Sequence, residues 1–187
     1  MRNLKLHAES QLVVQLSEEQ VAQALTDWTV SMGYIKTGVN KGKPNKPSRL
    51  HENSAVLLTT LAEGAKESER RIVGLYMTKE SFIGKHSEEG EVPAHSKFKL
   101  ALTEEESKAV PFWAYYYNKK TPDKMNWGAG DQRYFDNEWM AQILRELMNV
   151  KETLADKEFV LSFYKYYCKL NKIKESELGK ANGPLAK

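Results

Sequence analysis

The clearest periodic pattern in the chain is an amphipathic helix close to the N-terminus. Ser17 is suited to cap it, and Gln20 stands three residues later, where a capping box requires it. Apolar residues then recur at helical spacing on one face: Val21, Leu25, Trp28 and Met32. Because glycine commonly follows a helix C-terminus, Gly33 marks the predicted end of this helix.

Short apolar runs predict strands before and after this helix. Residues 4–8 alternate between polar and apolar, and residues 54–61 and 71–78 are rich in Val, Leu, Ile and Thr. Residues 98–102 also alternate, which indicates a strand with one wet face. Residues 112–117 form the densest aromatic run and are predicted to be another strand.

The last third of the chain has two helical patterns. Asp136 is suited to cap the first helix, and the second follows Asp156. The first carries an apolar face made of Trp139, Met140, Ile143, Leu144 and Leu147. The second carries an apolar face made of Phe159, Val160, Phe163, Tyr167 and Leu170. Residues 176–187 are polar with Gly and Pro, so a flexible tail is expected there.

Together these elements predict one α+β domain over residues 1–175. Residues 33–135 are expected to form a curled mixed or antiparallel sheet, or a small barrel. An N-terminal helix and two C-terminal helices, within residues 136–172, complete the prediction. A length of 187 residues is consistent with a single domain.

Composition and charge exclude few classes of protein, but they indicate which kinds of partner and location are compatible with the chain. The net charge of +3 permits nucleic acid as a partner without requiring it. The single cysteine, Cys168, excludes an internal disulfide and is expected to be a small core residue. Neither a signal peptide nor a membrane-spanning apolar run is visible, so a cytoplasmic location is expected.

No catalytic constellation is recognisable in the sequence. The four histidines lack zinc-ligand spacing, and Pro122 and Asp123 lack the downstream Glu-x-Lys of the nuclease type they would otherwise indicate. Gly128 and Gly130 give only part of a dinucleotide fingerprint, outside a βαβ unit. We therefore expect a binding module that is not an enzyme and holds no metal or cofactor.

Residues 36–49 form a basic segment that is predicted to be a long mobile loop. The segment has five cations and no acid, with two glycines and two prolines between them. The cations are Lys36, Lys41, Lys43, Lys46 and Arg49. Such a loop either follows a phosphate backbone or is an ordinary solvated loop.

Aromatic residues concentrate between residues 112 and 135. Trp113, Tyr115 and Tyr117 share one face if residues 112–117 are a strand. Rings of this kind stack on nucleic-acid bases, but they also fill protein cores. The glycines beside Trp127 would let the backbone approach a ligand, and Asp131, Gln132 and Arg133 offer donors and acceptors for a base edge or a carboxylate, although a plain turn with a solvated arginine explains the segment equally well.

The strands in the middle of the chain resemble the PUA-like superfamily, which includes EVE and YTH domains. The resemblance rests on the sequence Ala-Val-Leu-Leu-Thr-Thr at residues 55–60 and on Ile-Val-Gly-Leu-Tyr within residues 71–78. The strand at residues 98–102 and the Pro-Phe-Trp run at residues 111–113 suit the same plan. The resemblance implies a small curled barrel whose pocket holds a flipped, often modified, base. Some such domains are sensors in modification-dependent restriction systems.

The resulting hypothesis is a DNA- or RNA-binding sensor domain that encloses one extruded base among aromatic rings. The base pocket is predicted at Tyr76, Trp113, Tyr115, Trp127 and Tyr134. The phosphate contacts are predicted at Lys41, Lys43, Lys46, Arg49 and Arg133. Two alternatives stay open: a protein-interaction subunit of a defence or regulatory complex, whose interface the two amphipathic C-terminal helices would supply, and an enzyme that acts on a small substrate.

Overall fold

A computed structural model describes residues 9–187 and shows six strands and four α-helices within them. The strands are β1 (Gln11–Leu16), β2 (Thr29–Ser31), β3 (Ala55–Thr60), β4 (Arg71–Thr78), β5 (Glu91–Ala101) and β6 (Gln132–Phe135). The helices are α1 (Glu18–Asp27), α2 (Glu104–Ala109), α3 (Asn137–Val150) and α4 (Leu154–Asn171). The strand predicted at residues 4–8 lies outside the described residues.

All six strands belong to one mixed sheet, in the order β2-β5-β4-β3-β1-β6. β1 and β3 are parallel, and every other neighbouring pair is antiparallel. The sheet curls until its two edge strands meet. Gln132 on β6 donates a hydrogen bond to the carbonyl oxygen of Ser31 on the opposite edge strand, β2, at 3.4 Å. The predicted α+β class with a curled mixed sheet is confirmed.

The curled sheet separates two apolar cores. Leu12 and Val14 of β1 point to the inner side, whereas Val13 points to the outer side. The inner core includes Val30 of one edge strand, packs against Tyr134 of the other, and is joined by α1. The outer core is larger and contains the apolar faces of α3 and α4. Each helix layer therefore covers one side of the sheet.

Helix α1 is held close to the sheet by the absence of a side chain at Gly74. A Cβ atom at this position would lie 2.8 Å from Leu25 Cδ2 and 3.1 Å from the carbonyl oxygen of Leu100. The predicted capping box of α1 is present, since Gln20 N–H donates to Ser17 Oγ and Ser17 N–H donates to Gln20 Oε1. Glycine within the Ile-Val-Gly run thus lets α1 pack over the inner core.

Helix α1 is shorter than its apolar periodicity predicts. Trp28 ends it in the left-handed conformation, with φ of 50°, and its N–H donates to the carbonyl oxygen of Ala24. The next residues form β2, where Val30 pairs with Val92 of β5. The predicted extension to Gly33 is wrong, because pairing with a long neighbouring strand outweighs the helical spacing of Met32.

The aromatic run at residues 112–117 is not a strand, which corrects the sequence-based prediction. Residues Phe112–Ala114 form a short 3₁₀ turn, and Tyr115 N–H donates to the carbonyl oxygen of Phe112. Phe112 and Tyr116 stack with ring centroids 4.9 Å apart, so the run packs on itself. Ring packing in the outer core therefore replaces the predicted strand alternation.

The two C-terminal helices are confirmed, with small differences at their starts. Asp136 occupies the N-cap position of α3, but its carboxylate lies 3.4 Å from Lys119 Nζ and makes no side-chain cap. Helix α4 begins before Asp156, because Thr153 Oγ1 accepts a hydrogen bond from Asp156 N–H at 3.1 Å. The predicted apolar face of α3 is buried throughout.

The polar C-terminal segment, for which a flexible tail was predicted, contacts the domain at several residues. Leu178 is 9% exposed and belongs to the outer core. Arg145 donates to the carbonyl oxygen of Leu178 at 3.0 Å, and Gly183 N–H donates to that of Ala114 at 2.9 Å. A Cβ atom at Gly183 would lie 2.3 Å from the carbonyl oxygen of Trp113, so only glycine permits this contact.

Leu178→Ala is expected to lower the free energy of unfolding by about 2–3 kcal/mol, because the substitution empties a filled site in the outer core. Leu185→Ala is the matched control, since Leu185 is 40% exposed and should change stability by less than about 0.5 kcal/mol. Urea denaturation measures both. Equal, small effects would mean that the segment contributes nothing to the folded domain.

Candidate functional site

A cleft of about 1020 Å³ opens on the inner side of the sheet, near the line where its two edges approach. The end of β1, one side of α1 and strand β2 form its walls, together with residues 33–36 and the turn at residues 130–132. The curl of the sheet creates this cleft, because β1 and β2 are separated by three strands in the sheet order. A cavity of this volume is large enough for a small organic ligand.

The cleft combines apolar and uncharged polar side chains. Its apolar lining residues include Val14, Ala24, Val30 and Met32, which also belong to the inner core. Five carboxamide side chains line it as well: Gln15, Gln20, Gln23, Asn45 and Gln132. Among residues 9–187, the cations of the lining are Lys36 and Arg70, and its one carboxylate is that of Asp131. The cleft is therefore mainly neutral and rich in amide groups.

Several polar atoms of the lining have no partner within residues 9–187. Gln20 uses Oε1 in the capping box, Asn45 uses Nδ2 on the carbonyl oxygen of Met32, and Gln132 uses Nε2 on Ser31. The other amide atom of each of these three side chains makes no hydrogen bond to the described part of the chain. Thr29 Oγ1 is buried and also lacks a partner there. Because Gln20 is exposed and Asn45 and Gln132 are half-buried, their free amide atoms are available to a ligand or to water.

A buried arginine fixes one wall of the cleft. Arg70 is 2% exposed, and its guanidinium donates to Glu67 Oε2 at 3.1 Å and to Gln15 Oε1 at 2.9 Å. Gln15 Nε2 in turn donates to Asp131 Oδ1 at 3.1 Å. Because both ends of the Gln15 amide are engaged, its orientation is set and the turn at residues 130–132 is tied to β1.

Trp127 and Arg133 hold the same turn from the other side. Trp127 is 6% exposed, and its Nε1 donates to the carbonyl oxygen of Gly130 at 2.7 Å. The Arg70 guanidinium carbon lies 4.4 Å from the ring centroid of Trp127, and that of Arg133 lies 5.4 Å away. Arg133 also donates to the carbonyl oxygen of Trp127 at 2.6 Å. Arg133, for which a phosphate contact was predicted, therefore supports the turn in this structure.

The five aromatic residues predicted to form a base pocket do not come together. Tyr76 and Tyr134 lie on the inner side of the sheet, whereas Trp113, Tyr115 and Trp127 belong to the outer core. All except Tyr134 are less than 9% exposed. Burial raises the pKa of the hydroxyls of Tyr76 and Tyr115 well above the usual range. None of the five lines the cleft.

The predicted phosphate-binding cations of residues 36–49 are exposed and adjoin the cleft. Ile35 N–H donates to the carbonyl oxygen of Lys43 at 2.9 Å, and Asn45 N–H donates to that of Gly33 at 2.8 Å. These bonds fold the basic segment back on itself beside Lys36 and Asn45, which line the cleft. Lys41, Lys43, Lys46 and Arg49 are exposed. Arg49 lies apart from the others, with its guanidinium carbon 4.9 Å from the ring centroid of Tyr134.

Other reactive groups are placed away from this site. Cys168 is buried in the outer core, where burial raises its thiol pKa to about 11. Within residues 9–187, no three His, Cys, Asp or Glu side chains are grouped as metal ligands would be. No helix in the same range is long and apolar enough to cross a membrane.

The sequence patterns indicated only part of the cleft lining, namely Asp131 and Gln132 as ligand donors or acceptors and Lys36 as a cation of the basic segment. Gln20 and Gln23 lie on the polar side of α1, which is typical of a solvated helix face. Thr29 lies in β2 only because α1 ends earlier than its periodicity predicts, so its position at the cleft could not be foreseen. Arg70 precedes β4 and resembles any charged residue at the start of a strand. The one available signal was the number of glutamines around β1 and α1, at Gln11, Gln15, Gln20 and Gln23.

Comparison of the chain with protein-family models, with curated proteins and with solved structures gives no match.

Proposed function

We propose that the protein is a non-catalytic nucleic-acid-binding module of PUA-like architecture, in which the cleft accepts one extruded base. The basic segment, residues 36–49, contacts the adjacent phosphates. The observation that carries this proposal is the cleft itself, with apolar lining, unpartnered amide atoms and exposed lysines next to it. The curled six-stranded sheet supports the architectural part of the proposal.

The chemistry of the lining suits a nucleobase better than a phosphate or a hydrocarbon. A base has apolar faces and an edge of alternating donors and acceptors, and carboxamides pair with such edges. Gln20 offers a free Nε2 donor, while Asn45 and Gln132 offer free carbonyl oxygens. A phosphate would require cations, but the guanidinium of Arg70 is already engaged by Glu67, which leaves Lys36 as the one unpaired cation that the described residues contribute to the lining.

The location of the lysines supports polyanion binding at the same place. Extruding a base costs a few kcal/mol of unstacking, which contacts to the base and its flanking phosphates must offset. Lys36 lines the cleft, and Lys43 pairs through its backbone with Ile35 at the rim. The strand that carries the base would therefore pass next to exposed ammonium groups.

The triple substitution K41Q/K43Q/K46Q is expected to reduce the salt dependence of nucleic-acid binding. Each lost phosphate contact flattens the slope of log K against log[salt] by about 0.9 on duplex DNA, so the loss is up to about 3 units. Titrations of a labelled duplex at several salt concentrations measure the slope. The control K120Q/K124Q/K180Q removes the same charge from exposed lysines that have no ion pair among the described residues. Equal slopes for the two variants would remove the basic segment from the interface.

The protein-interaction alternative has less support from the structure. It relied on the apolar faces of the two C-terminal helices, but these faces are buried in the outer core. Leu154 and Leu161 are the exposed leucines of α4, at 73% and 38%, and they stand among charged residues.

A further inference from the structure

The outer face of α4 carries a row of lysines that the base-binding cleft does not use. Lys165 and Lys169 are four residues apart, so they share one side of the helix and lie about 6 Å apart along its axis, at 1.5 Å per residue. Lys172 follows as the left-handed C-cap residue of α4, with φ of 55°. All three residues are exposed.

These lysines have no acidic partner among residues 9–187. Other lysines nearby are paired: Lys174 Nζ lies 3.1 Å from Glu177 Oε1, and Lys151 Nζ lies 2.9 Å from Glu106 Oε2. No acidic residue occurs between residues 159 and 174. The row is therefore a cationic surface without internal neutralisation.

An aromatic surface lies next to the row. Tyr166 is half-buried and stacks on Phe98 of β5, with ring centroids 4.5 Å apart. Lys97 Nζ lies 5.2 Å from the centroid of Phe98, which adds a fourth cation beside the stacked pair. Glu80 is engaged by Ser96 N–H at 3.2 Å and by His95 Nε2 at 3.2 Å.

The helix dipole alone does not explain why lysines lie at these positions. A cation in the last turn of a helix interacts favourably with the helix dipole, which accounts for Lys169. Lys165 lies more than one turn before the end of α4, and Lys97 is on a different element. With a net charge of only +3, the remainder of the chain is acidic once this row and the basic segment are set aside.

We propose that the α4–β5 face, made of Lys97, Lys165, Lys169, Lys172 and Tyr166, is a second contact surface for the phosphate backbone of nucleic acid. It lies on the outer side of the sheet, opposite the cleft, so its function does not depend on a base entering the cleft. It would contact a distant part of the same nucleic acid or a second duplex. Exposed ammonium groups in a row, with few carboxylates, are the usual means of such sequence-independent binding.

The test uses a fully paired duplex, which presents no unpaired base to the cleft. K165Q/K169Q/K172Q is expected to flatten the slope of log K against log[salt] by about 2–3 units. The control K120Q/K124Q/K180Q, which has the same net charge, is expected to change the slope by less than about 1 unit. Thermal unfolding of each variant checks that the fold is retained.

Two results would overturn this assignment. Equal slopes of log K against log[salt] for the two triple variants would show that duplex binding depends only on the total charge of the protein. Binding to vesicles rich in phosphatidylserine that depends on Lys165, Lys169 and Lys172, without duplex binding, would assign the face to membranes. A failure of base uptake by the cleft would leave the predicted slope unchanged, so the two proposals fail independently.

Discussion

Arg70→Met is expected to lower the free energy of unfolding by about 3–4 kcal/mol, because it leaves a largely buried carboxylate without its cation. The Glu67 side chain is 24% exposed and also accepts a hydrogen bond from Trp113 Nε1 at 3.1 Å. Loss of the guanidinium additionally releases Gln15 Oε1, so the wall of the cleft is expected to loosen. Urea denaturation measures the stability.

Arg71→Met is the matched control for this substitution. The Arg71 guanidinium lies 3.8 Å from a Glu104 carboxylate that is 62% exposed, and such pairs contribute at most about 1 kcal/mol. The double variant E67Q/R70M should be more stable than R70M alone, because the stranded charge is removed. If R70M and R71M destabilise the protein equally, the buried network has no special role.

Trp127→Ala is expected to cost about 3–5 kcal/mol of stability, as for other buried aromatic residues. The ring is 6% exposed and lies between two guanidinium groups, so the substitution removes packing from both. Tyr34→Ala is a suitable control, since Tyr34 is 59% exposed at the rim of the cleft and should change stability by less than about 0.5 kcal/mol.

This result would decide between the two interpretations of Trp127 that the sequence allows. A ring that stacks on a base in an open loop could be removed with little loss of stability. A ring that supports the turn at residues 130–132 could not. Full stability of Trp127→Ala, together with a loss of nucleic-acid binding, would return Trp127 to the ligand site and contradict its placement in the outer core.

The elements with strong local signals could be predicted from the sequence. The capping box at Ser17, the apolar strands β3 and β4 and the buried face of α3 need no distant partner to be recognised. Element boundaries were less predictable, because Trp28 ends α1 through pairing of β2 with a strand more than 60 residues later. The aromatic run at residues 112–117 has strand-forming residue types, but its packing against distant rings decides its conformation.

The cleft could not be predicted because its residues come together only when the sheet curls. Gln15, Thr29 and Gln132 lie on three different strands or their ends, and two of these strands are opposite edges of the sheet. Aromatic residues can stack on bases and were therefore predicted to form the pocket, yet large rings are also the most effective core residues. Neutral amides such as Gln20 and Gln23 on the polar face of a helix do not indicate a binding site by themselves, although five carboxamides line the cleft.

Uptake of a single base by the cleft is tested most directly with two duplexes that differ at one position. One carries an unpaired base in a single-nucleotide bulge, and the other carries an abasic site there, so that only the first offers an easily extruded base. The unchanged protein is expected to prefer the first duplex by about 1–3 kcal/mol, the usual discrimination of a good bidentate base contact.

Substitutions of this protein locate the preference. Thr29→Val and Gln132→Leu remove polar atoms that line the cleft, and they should abolish the preference while affinity for the abasic duplex is retained. K41Q/K43Q/K46Q should instead lower the affinity of the protein for both duplexes equally. Equal affinity of the unchanged protein for the two duplexes, or a preference that survives both cleft substitutions, would contradict a base-binding function for the cleft.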